Sequence, residues 1–263
     1  MLLDLFGRGY SDGVADLPHD SRLYSSQILI AVTSSMLPWA TEGFALIGYS
    51  LGGGIVVDFS TAFPSMVSGV VLLAPAGLIR RGHFGWMSRL LYSGLIPSGV
   101  LESMITRRLR GGVVPRSTDK VSIKSPENAI NAEIKGTVFE SVELSKSRPG
   151  VTVAKAVQWQ LFEHTGFVRS FVSSIMFASI EGTEEMKGRW RILREQRKER
   201  GDKVVVIAGE RDNVIVEKEL GEDVFECVGE ENLEWRVILG AGHEFPITRA
   251  EEVVGMVSKV WGL

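Results

Sequence analysis

The sequence predicts an α/β fold: a mostly parallel sheet with crossover helices, interrupted by one long helical insertion. Three observations predict it. Short apolar runs at Phe44-Ala45-Leu46-Ile47, Val70-Val71-Leu72-Leu73, Val204-Val205-Val206-Ile207-Ala208 and Trp235-Arg236-Val237-Ile238-Leu239 end in glycine-containing loops and, in the first half, alternate with helix-period stretches, the order that parallel strands with crossover helices require. Between Gly77 and Lys203 no strand pattern occurs, and apolar residues recur at helical spacing instead. Finally, Gly48-Tyr49-Ser50-Leu51-Gly52 joins an apolar run to a helix-like stretch, which places a serine on a tight strand-to-helix turn.

Taken in order, residues 1–6 predict a strand that starts with the chain, and residues 22–37 a helix that stops before Pro38, because the residue before proline is driven out of helical geometry. The strand from Phe44 leads into a helix over 53–63 and then the strand at 70–73. Residues 78–200 predict an inserted helical domain, against a core of 1–77 and 201–263. Its helices are expected at 84–93, 100–110, 126–143, 151–164, 167–180 and 184–200, separated by Gly94, Gly111-Gly112, Pro115, Pro149-Gly150, Gly166 and Gly182. Large apolar side chains crowd this insertion, among them Trp86, Met87, Trp159, Phe162, Phe171 and Phe177. Most belong to its own core, and together they favour an apolar pocket. The strands at 203–208 and 235–239 follow, and a helix opens at Pro246. Cys227 lies in Val224-Phe225-Glu226-Cys227-Val228, a half-buried pattern that suits a structural thiol.

The chemistry concentrates in three loops that follow strands. On the strained turn at Ser50 a side chain two residues away on either side would collide, so Gly48 and Gly52 are expected to relieve it. The Leu51 N–H then opens a helix, where unpaired donors and the macrodipole favour a developing oxyanion. Gly209-Glu210-Arg211-Asp212 places a carboxylate beyond its strand, with Asp212 the candidate acid and Glu210, two residues away, the competitor. Gly240-Ala241-Gly242-His243 places His243 as the candidate base. The chain order Ser50, Asp212, His243 differs from the orders of chymotrypsin-like and subtilisin-like enzymes.

With these motifs the chain resembles the α/β-hydrolase superfamily over nearly its whole length. Asp4-Leu5-Phe6-Gly7-Arg8-Gly9-Tyr10-Ser11-Asp12 resembles the loop after the family's fourth strand, and Val70-Val71-Leu72-Leu73-Ala74-Pro75-Ala76-Gly77 its sixth strand. Within the superfamily the chain is most similar to fungal serine hydrolases related to meta-cleavage-product hydrolases, monoacylglycerol lipases and proline iminopeptidases. The resemblance implies an α/β-hydrolase sheet in which 78–200 is the cap that shapes the substrate pocket, and favours Asp212 through the family's Gly-x-x-Asp pattern. It also implies an N-terminally truncated sheet: the chain would begin after the family's third strand and the loop that delivers the second oxyanion donor. The implied activity is hydrolysis of an ester, lipid, thioester, amide or carbon–carbon bond beside a ketone. The competing reading is a non-catalytic relative that binds a hydrophobic ligand or a partner protein.

Composition narrows the field further. Of 263 residues 44% are hydrophobic and the net charge is −3, so the whole-chain balance gives no argument for nucleic acid or an anionic membrane. The basic clusters at Arg107-Arg108-Leu109-Arg110 and over 189–200 are interleaved at helical spacing and read as solvated helix faces. A single cysteine excludes an internal disulfide. No transmembrane run or signal layout is visible, so the default compartment is cytoplasmic. Gly7-Arg8-Gly9 departs from a dinucleotide fingerprint where Asp12 stands at the third glycine, and no metal-ligand motif occurs. No cofactor is therefore expected. His19, His83 and His164 have no partner motif and read as hydrogen-bonding residues, and the expected partner is a hydrophobic small-molecule substrate.

Overall fold

The computed structural model describes residues 1–84, 90–112, 142–145 and 147–262. Its sheet has four parallel strands in the order β1 (Phe44–Tyr49), β2 (Val67–Leu73), β3 (Val204–Gly209) and β4 (Leu233–Ile238). All of β3 is buried, as expected of an unbroken Val/Ile run inside a parallel sheet covered on both faces. The helices outside the insertion are α1 (Ser21–Thr33), α2 (Trp39–Glu42) and α3 (Leu51–Ala62). Those of the insertion are α4 (Ser98–Gly112), α5 (Val153–Phe162), α6 (Phe167–Phe177) and α7 (Glu184–Arg200). The chain closes with α8 (Glu217–Val228), α9 (Phe245–Thr248) and α10 (Ala250–Trp261).

The chain divides into two compact units. One comprises Met1–Leu23 with Gly82–Phe177, and the other Tyr24–Arg81 with Ala178–Leu263. These units differ from the sequence division into 1–77 with 201–263 and 78–200 at three places: residues 1–23 group with the helices, while residues 78–81 and 178–200, which include α7, group with the sheet. For α7 the reason is its stripe of Met186, Trp190, Leu193 and Arg197, all buried and spaced to lie along one face. The helix is capped by Thr183, whose hydroxyl accepts from Met186 N–H at 3.2 Å, and ended by Gly201 at φ 74°. Arg197 corrects the expectation of a wholly solvated basic face: its guanidinium is fully buried and donates to Val67 O at 2.9 Å.

In the helical unit, Leu101, Ile105 and Leu109 of α4 pack with Leu161, Phe167, Phe171 and Val172 into one apolar core. Residues 1–6 form no strand, which corrects the expectation of one. Met1 and Leu2 are exposed, and the backbone beyond them spends its hydrogen bonds on a local turn. Arg8 N–H donates to Leu5 O, and Gly7 N–H to Ser11 O and Asp12 O. That turn is fastened to the helices by Gly9 N–H on Gln160 Oε1 (2.8 Å), Arg8 Nη2 on Ser174 Oγ (3.1 Å) and His19 N–H on Ser173 Oγ (2.9 Å). Both nitrogens of His164 serve backbone, Nε2 at Ser11 O and Nδ1 accepting from Gly166 N–H. His83 lies in a short 3-10 turn, Arg81–His83. Of the expected helices, 126–143 falls almost wholly outside the described residues; 84–93 is outside over 85–89, with Trp86 and Met87.

In the sheet unit, α3 buries Ile55, Val56, Val57 and Phe59. Its Asp58 is buried too, accepting from Ser179 Oγ at 2.6 Å and paired with Arg189 of α7. Cys227 is buried on α8, where burial pushes the thiol up. The half-buried pattern read around it is thus one side of a helix.

Candidate active site

Ser50 caps α3 at φ 52° and ψ −119°, left-handed backbone that a residue with a Cβ adopts only when its surroundings impose it, at about 1–3 kcal/mol. Those surroundings are visible. Ser50 N–H donates to Leu73 O at the end of β2, and Ser50 O accepts from both Gly53 N–H (2.9 Å) and Ala76 N–H (2.8 Å). The elbow glycines sort themselves by space. A Cβ at Gly48 would lie 2.4 Å from Gly52 O, and one at Gly53 would lie 2.5 Å from the Pro75 side chain. At Gly52 a Cβ would meet nothing within 4 Å, contrary to the expected need for glycine there. The tight position after the serine is one residue further on than the five-residue motif suggests, because Gly53 is the one that packs against Pro75, just beyond β2. Leu51 is the first residue of α3, so its N–H has no acceptor within the helix.

The acid and base loops interlock. A Cβ at Gly209 would lie 2.7 Å from both Ala241 O and Gly242 O, so only glycine lets the two loops approach. Glu210 N–H donates to Ile238 O, and Arg211 N–H to Ala241 O. The Glu210 carboxylate accepts from Gly240 N–H at 2.7 Å. Glu210 is therefore spent on the loop, while Asp212 turns inward. Asp212 Oδ1 accepts from Val214 N–H (2.8 Å) and Ile215 N–H (2.7 Å), which leaves Oδ2 for His243 Nδ1 at 2.7 Å. His243 Nε2 lies 3.0 Å from Ser50 Oγ. Asp212 and His243 are each only 5% exposed.

The tautomer follows from the partners. A carboxylate oxygen can only accept, so Nδ1 carries the proton, Nε2 is an acceptor, and the Ser50 hydroxyl donates to it. All of the expected site residues, Ser50, Leu51, Asp212 and His243, therefore lie together at the C-terminal ends of β1, β3 and β4. Sequence reasoning missed Tyr49, whose hydroxyl donates to His243 O at 3.0 Å. It also missed the parts played by Gly53 and Gly209. Periodicity carries no signal for contacts between segments so distant in the chain. Among the described residues no group of three or more His, Cys, Asp or Glu side chains could hold a metal ion, and no helix is long and apolar enough to cross a membrane.

No family model and no curated protein matches the sequence. Solved structures do match over nearly the whole chain, and they define the fold as that of the α/β-hydrolases. MGS-M2, an α/β-hydrolase enzyme from a Medee basin deep-sea metagenome library, superposes with a TM-score of 0.61 at 14% identity, covering 99% of this chain and 78% of that one. MenH from S. aureus gives 0.57 at 14% identity over 98% of this chain and 81% of its own. The 2-hydroxy-6-oxo-6-phenylhexa-2,4-dienoate hydrolase BphD from Rhodococcus sp. strain RHA1 gives 0.55 at 18% identity, over 99% and 78%.

Proposed function

We propose that the protein is a serine hydrolase that cleaves an acyl bond of a hydrophobic small molecule. The observation that carries this reading is the unbroken hydrogen-bonded line from Ser50 Oγ through His243 to Asp212, whose second oxygen is already held by two backbone donors. In the proposed reaction Ser50 Oγ attacks the substrate carbonyl as its proton passes to His243 Nε2. Asp212 stabilises the imidazolium, and the Leu51 N–H faces the developing oxyanion. His243 then returns the proton to the leaving group, and water, deprotonated by the same nitrogen, releases the acyl group and frees Ser50.

The choice of an apolar substrate is supported by the family resemblance and by the apolar content of the insertion. Similar structures include hydrolases named for meta-cleavage products and a lipase-esterase related protein, which supports the reaction class. The test is covalent labelling by a fluorophosphonate probe. Labelling of the wild type that disappears in Ser50→Ala is the expected result. Folded wild-type protein that resists the probe would overturn the enzyme reading in favour of a ligand-binding relative.

A further inference from the structure

In the reaction just described Tyr49 does nothing, yet its side chain ties the histidine loop to the serine strand. His243 follows β4, which lies three strands away from β1 in the sheet, about 14 Å at the usual strand spacing. The loop must therefore reach back across the strand ends, and the bonds to Glu210 and Arg211 that brace it tie it to the loop after β3, two strands short of β1. Gly240 stands at φ 71°, and Gly240 and Gly242 add no side chains that could brace it. At the far end of that reach the Tyr49 hydroxyl donates to the carbonyl of His243 itself, at 3.0 Å. The phenol ring also lies beside the imidazole, with centroids 5.1 Å apart and planes tilted by 38°. The anchor belongs to the residue immediately before the nucleophile.

Resting on the serine hydrolase reading, we infer that Tyr49 is a positioning residue for His243: it fixes Nε2 against Ser50 Oγ from both the backbone and the ring side. The hydroxyl holds the carbonyl, and so the Cα from which the imidazole projects. The ring restricts the swing of the imidazole about its own axis. Neither interaction touches the reacting atoms. Both decide whether the 3.0 Å contact between His243 Nε2 and Ser50 Oγ is held when substrate arrives, and small misplacements of a proton acceptor are costly in rate.

The experiment compares the wild type with Tyr49→Phe and Tyr49→Leu, using the second-order rate of fluorophosphonate labelling and steady-state hydrolysis of p-nitrophenyl butyrate. Tyr49→Phe keeps the ring and loses one hydrogen bond, so labelling should slow by about three- to tenfold. Its kcat should fall by the same factor at unchanged KM. Tyr49→Leu also loses the ring contact and should be slower by roughly a further three- to tenfold. A Tyr49→Phe variant that labels as fast as wild type overturns the inference even if Tyr49→Leu does not fold. A raised KM at constant kcat overturns it differently, by making Tyr49 a substrate contact. Failure of the wild type to label would refute the hydrolase reading itself, and is distinguishable because it precedes any comparison of variants.

Discussion

Replacing Asp212 by asparagine tests the site most sharply, because the structure dictates which way the new amide must point. Asp212 Oδ1 accepts two backbone N–H groups, from Val214 and Ile215, at 2.8 and 2.7 Å. An amide turned the other way would set its NH2 against both donors, leaving two buried groups unpaired at about 1–3 kcal/mol each. The amide oxygen therefore stays with the backbone, and the NH2 faces His243 Nδ1. Nδ1 must then accept, which moves the ring proton to Nε2 and leaves no lone pair for the Ser50 hydroxyl. The same reversal in serine proteases costs about four orders of magnitude in kcat, or about 5.5 kcal/mol of barrier, and a loss of that order is expected here with the fold retained. Glu210→Gln should behave oppositely. Its amide oxygen can still accept from Gly240 N–H, so ester turnover should stay within about threefold of wild type and stability within about 1 kcal/mol. The assay is hydrolysis of a p-nitrophenyl ester, with unfolding midpoints as the control on folding. An Asp212→Asn variant within tenfold of wild type, or a Glu210→Gln variant more damaged than Asp212→Asn, would refute the assignment.

Gly48→Ala should destabilise by at least about 2 kcal/mol and lose probe labelling, since its Cβ would sit 2.4 Å from Gly52 O and overpacking of this kind costs about 1–3 kcal/mol. Gly52→Ala should be tolerated or stabilising by up to about 1 kcal/mol, and thermal unfolding of the pair checks both. His19 is fully buried, and burial first, then Arg8 and Arg169, lower its pKa to about 4. Between the ordinary value of 6.5 and that value the unfolded chain binds the extra proton, so stability falls as pH drops through this window and levels off below about 4. The wild type should lose about 2 kcal/mol on going from pH 7 to pH 5 through this group alone, and His19→Gln should lose that much less in urea titrations at the two pH values. For substrate choice, lengthening the acyl chain of p-nitrophenyl esters should raise kcat/KM, by up to about 0.8 kcal/mol per buried methylene. A flat profile would remove the support for an apolar pocket.

The three reacting side chains were legible because each sits in a loop whose punctuation is local: a glycine-flanked serine, Gly-x-x-Asp and Gly-x-Gly-His directly after apolar runs. The four strands were legible for the same reason. Helix α8 was missed although Leu220, Val224, Cys227 and Val228 follow helical spacing, because its acidic residues interrupt the apolar pattern and its last five residues alone look like a half-buried alternation. Burial of Arg197 was also available, since it continues the stripe from Met186, Trp190 and Leu193. Residues 1–6 look like a strand by composition, but strand formation needs a neighbour, and here the chain turns locally at Gly7 and Gly9 and hydrogen-bonds to the helices. Tyr49 could not be read at all. Its partner lies 194 positions away, and no local pattern encodes such a bond.

The interlocked loops after β3 and β4 have a mechanical consequence. Glu210, Arg211 and Asp212 are bonded along the same stretch that carries Gly240, Ala241 and His243, so acid and base ride on a common bracket. The serine rides on a different mount, two strands from the acid and three from the base. Of the two contacts His243 makes in the triad, the one to Ser50 therefore spans separate mounts, and the Tyr49 hydroxyl on His243 O bridges the same two.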